Sequence, residues 1–208
     1  MRFSHNRTIA LAGAGVALAL SLTACGGSSG TAASPAKASP KASAGSDMAA
    51  AAPFGAGCAA VPANGSGSFS GMATDPVATA ASHNPVLSTL VTAVTKAGLG
   101  DTLNSAQDIT VLAPSNDAFA AMNKATMDQA MGDPKGLLTK VLTYHVLKGK
   151  IAPSALAGTH ESLEGGQVTI TGSGDMFKID GTASVICGDV QTANATVYII
   201  DKVLTPKA

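Results

Sequence analysis

The stretch Thr110–Phe119, "TVLAPSNDAF", decides the fold because it predicts a buried strand followed at once by a capped helix. Ile109–Ala113 is a short apolar run of the kind that forms a buried strand. The chain then turns, and Ser115 or Asn116 can cap a helix that begins near Asp117, whose carboxylate the helix dipole favours. The sequence therefore predicts a strand, a tight turn and a helix within ten residues.

Helical patterns lie on both sides of this unit. Asn84–Gly98 is predicted to be one helix, with Asn84 as its cap and Gly98 as its end. Its large apolar residues fall on one stripe, which must be buried. Two further helices are predicted at Thr126–Met131 and Pro134–Tyr144.

From residue 150 onward the sequence predicts strands. Two pairs of β-prone segments each flank a glycine-containing turn, which is a hairpin signature: 159–164 with 167–171 around Gly165-Gly166, and 176–179 with 182–190 around Asp180-Gly181. The segment Thr196–Leu204 alternates, so its odd and even apolar residues are expected on opposite faces: Val197, Ile199 and Val203 against Tyr198 and Ile200. Helices first and hairpins later predict an α+β domain.

Three segments identify a family by their order: "TVLAPSNDAF", "LTYHVL" (Leu142–Leu147) and "TVYIIDKVLTP" (Thr196–Pro206). Together they resemble the fasciclin-type (FAS1) domain, over roughly Met72 to Pro206. The flanking stretches "DPVATAASHNP" and "CGDVQTANATVYIID" are similar to the secreted or lipid-anchored mycobacterial-type antigens of this family. The resemblance implies a compact β-sandwich wedge with several helices packed along one edge, and a role in adhesion or binding.

The N-terminal residues indicate export. Arg2 and Arg7 precede an uncharged run, Ile9–Leu22, as in a signal peptide, which we assign to residues 1–24. A transmembrane anchor is disfavoured because the run is shorter than the ~20 residues that span a bilayer. Leu22–Cys25 resembles the bacterial lipobox, which implies that Cys25 carries a lipid and becomes the first residue at the outer face of the cell membrane. Simple secretion is the alternative.

The remaining cysteines fit this compartment. Residues 25–57 are rich in Ala, Ser, Pro and Gly and are predicted to be a disordered tether, so we place the fasciclin domain at 58–208, with its core at about 72–206. With Cys25 bearing a lipid, Cys58 and Cys187 form an even pair, which in an exported protein most simply makes a disulfide. In the chain-entropy model such a long loop stabilises by on the order of 4 kcal/mol.

Two neighbouring side chains are candidates for partner contact. The family resemblance singles out Tyr144 and His145, and the alternative, which we prefer, is that both are folding determinants. Ser115, Asp117 and His145 are the residue types of a catalytic triad. The GxSxG nucleophile elbow is missing from the sequence and Ser115 already has a role as a cap, so we predict that the protein is not an enzyme.

Composition excludes other classes. The 13 basic and 13 acidic side chains cancel and Trp is absent, so we expect no nucleic-acid partner. The cysteines form no CxxC and have no neighbouring His cluster, so we expect neither a metal nor a cofactor. A single fasciclin domain has no evident need of a second copy, and we expect a monomer.

Three functional hypotheses follow. The first is a surface-anchored binding module for an extracellular or host surface protein. The second is a carrier or sensor of a small apolar ligand, such as a lipid, held in a groove between the helices and the sheet. The third, a structural envelope protein, has no specific sequence signature.

Overall fold

The computed structural model describes residues 52–206, and within them the chain forms an α+β domain of seven α-helices and seven strands. The helices are α1 Phe69–Met72, α2 Val77–His83, α3 Ser88–Ala97, α4 Gly100–Ser105, α5 Asn116–Ala120, α6 Lys124–Gly132 and α7 Leu137–Tyr144. The strands are β1 Ile109–Pro114, β2 Val146–Lys148, β3 Gly158–Glu161, β4 Gln167–Ser173, β5 Met176–Ile179, β6 Ala183–Gln191 and β7 Ala195–Ile200. The fold class is therefore as predicted.

The strands form a sheet in the order β2-β1-β7-β6-β5-β4-β3. Strands β1 and β7 pair in parallel, and every other neighbouring pair is antiparallel. The two edge strands approach each other, because Leu147 of β2 makes a bridge with Ser162 just after β3. An ion pair between Lys148 and Glu161 closes the same seam. The sheet is thus nearly closed, and its two halves enclose an apolar interior.

Two cores lie on opposite faces of β1 and β7. On the helix side, Val111, Val197 and Ile199 pack against the helices. On the inner side, Tyr198 and Ile200 pack against residues of the two hairpins. The predicted alternation of the last strand is therefore confirmed, and it follows from the two-residue period of side chains along a strand.

The predicted helix at 84–98 is wrong as a single element. Asn84 Oδ1 accepts a hydrogen bond from the Val86 N–H at 3.0 Å, so Asn84 caps a 3₁₀ turn at Pro85–Leu87, and α3 begins only at Ser88. The start of α3 is capped from elsewhere in the chain, because Asn116 Oδ1 accepts from the Thr89 N–H at 2.9 Å. Gly98 ends the helix as predicted, with a left-handed φ of 70° that suits glycine.

Other boundaries shift for similar local reasons. Helix α7 begins at Leu137 rather than at Pro134, because the Asp133 carboxylate accepts from the N–H groups of Gly136 and Leu137. The last strand ends at Ile200 rather than at residue 204. There the N–H of Asp201 donates to the Ser184 carbonyl and the chain leaves the sheet.

The ordered domain begins before the predicted end of the tether at residue 57. Phe54 pairs with Gly188 of β6 through two backbone hydrogen bonds of 2.8 and 3.2 Å. Its ring packs against Phe177 with a centroid distance of 5.9 Å, and a Cβ at Gly188 would overlap that ring. One aromatic residue therefore fastens a segment whose composition otherwise predicts disorder.

Candidate functional site

The entry of the chain into the domain is covalently fixed. Cys58 and Cys187 form the expected disulfide, with a Cα–Cα distance of 4.8 Å across 129 residues of sequence. The bond joins the 3₁₀ turn Ala56–Ala60 to strand β6. Cys25, the signal peptide and most of the tether lie outside the described residues.

Tyr144 lies at the end of α7 and is 1% exposed. Its hydroxyl donates to Asp180 Oδ2 at 2.8 Å and lies 3.1 Å from the Gln167 carbonyl oxygen. Burial and the bond to Asp180 raise the pKa of Tyr144. Tyr144 therefore ties the helical half of the domain to the two hairpins.

His145 is 2% exposed, and both of its ring nitrogens have backbone partners. Nδ1 lies 2.7 Å from the Val141 carbonyl oxygen, which can only accept, and Nε2 lies 2.9 Å from the Leu204 N–H, which can only donate. The ring is therefore the neutral Nδ1–H tautomer. Burial lowers the pKa of His145 to about 4, because a cation here would be desolvated and the bond from Leu204 would be lost.

The three segments that carry the family resemblance meet at His145. Its carbonyl accepts from the N–H of Leu112 in β1 at 2.8 Å, and its ring accepts from Leu204 after β7. Tyr144 and His145 are both buried in the folded domain, so neither side chain lies on its surface. Their polar atoms form hydrogen bonds inside the domain, which favours the folding role that we preferred over partner contact.

Ser115, Asp117 and His145 do not form a catalytic triad in this structure. Ser115 is the N-cap of α5, and its Oγ accepts from the Ala118 N–H at 3.2 Å. The ring of His145 bonds to Val141 and Leu204, and Asp117 is an exposed residue in the first turn of α5. The geometry therefore provides neither an activated serine nor a histidine that could take its proton.

An open groove of about 270 Å³ lies between α2, α3 and α4. Its floor is formed by β1 and His145, and its walls are largely aliphatic. Two asparagines hold the helices in place. Asn194 Oδ1 accepts from the Val77 N–H at 2.8 Å, and Asn104 Oδ1 accepts from the Ala78 N–H at 2.9 Å, so both amides cap α2 from a distance.

The mouth of the groove is polar. Ser82, Thr95 and Asp101 line it and are exposed. Ser82 Oγ donates to the Thr79 carbonyl at 2.6 Å, and Thr95 Oγ1 donates to the Val91 carbonyl at 2.8 Å. Since each hydroxyl hydrogen is committed, these side chains offer lone pairs to the groove, and the Asp101 carboxylate can only accept.

One buried carboxyl lies away from the groove. Asp189 is 2% exposed and sits at φ 58° in a bulge of β6. Its Oδ1 accepts from Gln191 Nε2 at 2.6 Å, whereas Oδ2 has no partner within the described residues. Burial raises the pKa of Asp189, so the ionised form destabilises the fold.

Residues 52–206 contain neither a membrane-spanning helix nor a cluster of metal ligands. No helix there is long and apolar enough to cross a membrane. In the same residues, no three His, Cys, Asp or Glu side chains lie close enough together to hold a metal ion.

The sequence of the chain also matches a known protein family. The family described as "Fasciclin domain" matches residues 85–206, which is more than half of the chain. The chain therefore belongs to the fasciclin family.

Two mycobacterial relatives are each 48% identical to this chain. The cell surface glycolipoprotein MPB83 of Mycobacterium bovis matches over 163 residues, which are 74% of this chain and 73% of the relative. The immunogenic protein MPB70 of the same species matches over 162 residues, 74% of this chain and 82% of the relative. The chain thus resembles a pair of antigens over most of their length.

A solved structure is similar in fold. The FAS1 domain pair of the insect cell adhesion molecule fasciclin I matches with a TM-score of 0.54 and 15% identity. The match covers 64% of this chain and 52% of that chain, so this chain spans about half of a structure that holds two domains. At that identity the likeness shows the fold alone.

Sequence reasoning missed the particular residues of the groove. It proposed a groove between helices and sheet on general grounds, but it assigned no helix to α2 or α4, which form two of the walls. The usable signals were Asn104 and Asn194, whose amides cap α2 across 26 and 117 residues. Such long-range caps leave no local pattern in the sequence.

Proposed function

We propose that this chain is an exported protein, held at the outer face of the cell membrane by a lipid on Cys25, whose fasciclin domain binds an extracellular macromolecule. The observation that carries the proposal is the disulfide between Cys58 and Cys187, because such bonds persist in oxidising compartments. The lipobox-like segment ending at Cys25 and a relative named as a cell surface glycolipoprotein support the anchor.

The partner is proposed to be a protein of the matrix or of a neighbouring or host cell. A relative that is named as a cell surface protein supports a partner outside the cell. Nucleic acid is disfavoured because residues 52–206 contain eight lysines, no arginine and twelve carboxylate side chains. Because Tyr144 and His145 are buried, the contact surface must be formed by other residues.

Anchoring and binding are tested separately. Cells producing the full chain are fed an alkyne-tagged fatty acid, and we expect the label on the wild type and its loss in Cys25→Ala. Failure of the wild type to take up label would overturn the anchor.

For binding, the full oxidised chain and a reduced, alkylated control are offered to extracellular proteins. Saturable binding by the oxidised chain alone supports the proposal, and no saturable binding in an unbiased screen contradicts it.

A second function, carriage of a small apolar ligand, is favoured by one specific observation. The groove between α2, α3 and α4 is open, has apolar walls and has a volume of about 270 Å³. Ligand sites are commonly concave and mostly apolar, with a few convergent polar groups, and their volumes begin at roughly 300 Å³. At about 270 Å³ this groove lies just below that range, so it suits a ligand smaller than a drug-sized molecule.

A further inference from the structure

The size of the groove suits a small molecule. An apolar cavity of about 150 Å³ is enough to bind benzene, and this groove measures about 270 Å³. The space therefore suits roughly twice that ligand, on the order of a dozen non-hydrogen atoms, and not a folded protein segment.

The groove persists because small residues occupy its walls. Ala78 and Ala81 face it from α2, and Gly100 faces it from α4. A Cβ built on Gly100 would meet no heavy atom within 4 Å, and the backbone φ of Gly100 is outside the left-handed region. A larger residue at Gly100 would thus be accommodated without strain.

The floor of the groove offers no free polar atom. Val111 is aliphatic and packs on the helix side of β1, whereas the side chain of Leu112 belongs to the core on the other face of the strand. Both ring nitrogens of His145 are bonded to backbone groups. Two further polar residues line the groove, Thr79 and Asn104, and their side chains are bonded to each other, with Asn104 Nδ2 donating to Thr79 Oγ1 at 3.2 Å. The exposed polar groups lie at the mouth. There Ser82 and Thr95 present oxygen lone pairs, and Asp101 presents a carboxylate.

We propose that this groove binds a small apolar molecule whose polar end is a hydrogen-bond donor, an alkylammonium ion or an alcohol, in preference to a carboxylate. The apolar chain lies against Leu90, Val94 and Leu103, and the donor end meets the acceptors at the mouth. A fatty acid anion meets the same oxygens with a like charge and without a hydrogen to donate. The inference rests on the proposed carrier function and adds the chemical class of its ligand.

The test uses three probes with equal chains: n-octylammonium, 1-octanol and octanoate. Each is titrated into the full oxidised chain by calorimetry, and amide shifts in ¹⁵N-HSQC spectra locate the site. We expect octylammonium to bind most tightly, octanol next and octanoate roughly tenfold more weakly than octylammonium, since an exposed charge contact contributes a few-fold either way. The shifted amides should lie in α2, α3 and α4.

Variants test separately the charge at the mouth of the groove and the free volume inside it. Asp101→Asn should weaken octylammonium roughly threefold and leave octanol unchanged, whereas Asp128→Asn in α6, an exposed carboxylate outside the groove, should change neither. Ala81→Leu should weaken all probes by filling the groove. Because Ala81 is half-buried and packs against the core, Gly100→Leu is a second filling variant with free space for its Cβ.

The possible negative results separate a failure of the donor preference from a failure of the carrier function. If octanoate binds as tightly as octylammonium at the same amides, the donor preference is wrong and the carrier function stands. If none of the probes shifts amides of α2, α3 or α4, both the inference and the carrier function are overturned. If Asp128→Asn weakens octylammonium binding as much as Asp101→Asn does, the assignment of Asp101 as the carboxylate that meets the ligand is also wrong.

Discussion

The Tyr144–His145 pair and the groove between α2, α3 and α4 are neighbours with opposite properties. The pair carries the family resemblance and is buried, with each of its polar side-chain atoms bonded inside the domain. The groove, by contrast, is accessible, and its mouth holds polar groups with unused lone pairs. The comparison teaches that the Tyr144–His145 pair is enclosed by the fold, and that the binding proposed for this chain needs residues that remain accessible, such as those of the groove.

The largest expected effect comes from removing the disulfide between Cys58 and Cys187, which constrains the chain covalently. A double variant, Cys58→Ser with Cys187→Ser, should lose about 5 kcal/mol of unfolding free energy, because the 129-residue loop is no longer constrained in the unfolded chain. Urea unfolding followed by far-UV circular dichroism measures the loss. Wild type treated with a reductant is the matched control and should fall by the same amount. A loss below about 1 kcal/mol would mean that the disulfide hardly supports the fold.

His145 should make the fold acid-sensitive. Its pKa is lowered to about 4 in the fold from 6.5, so the unfolded chain takes up the proton first as pH falls. The stability due to the neutral ring is fully present above pH 6.5 and is lost between 6.5 and about 4, by about 3 kcal/mol. Urea titrations at each pH measure this slope, which His145→Asn should flatten. A slope that is unchanged in His145→Asn would count against the assignment.

Tyr144→Phe should have a smaller effect. The variant loses the hydroxyl that donates to the Asp180 carboxylate, and hydrogen bonds to charged groups contribute about 1.5–3 kcal/mol. Tyr198→Phe is the matched control, because the Tyr198 hydroxyl donates to the neutral Ile151 carbonyl at 2.8 Å and should cost only about 1 kcal/mol. Thermal unfolding of both variants ranks them. The reverse order would contradict the role of Tyr144 as the tie to the hairpins.

The smallest effect is a gain. Asp189→Asn keeps the size and the tolerance of a left-handed φ, and it removes a buried charge, so it should stabilise the fold by about 1 kcal/mol at pH 7. Because the folded-state pKa of Asp189 is raised above its ordinary 3.8, the penalty of the charge appears as pH rises from 3.8 through the folded pKa. The gain should therefore vanish near pH 3. A variant that is less stable than wild type at pH 7 would contradict this account.

Elements that depend on neighbours close in sequence could be predicted, and elements that depend on residues far away in sequence could not. The strand at Ile109 and the cap at Ser115 depend on neighbours within a few residues, and both were correct. Helix α2 was missed because Asn194 caps it from 117 residues away. Strand β2 was missed because its three residues are a strand only through pairing with β1. The groove arises from small side chains such as Ala78 and Ala81, whose effect depends on how α2, α3 and α4 are placed relative to one another.

The titration of His145 tests the central claim most directly. Imidazole ¹⁵N shifts, read from long-range ¹H–¹⁵N correlations of the full chain, report both the tautomer and the pKa of each histidine. The account predicts that His145 remains the neutral Nδ1–H tautomer from pH 8 down to about 5, while a histidine of an unfolded control titrates near 6.5. A His145 ring that titrates near 6.5 in the folded chain would show that the ring is open to solvent, and it would return the pair to the surface as a contact site.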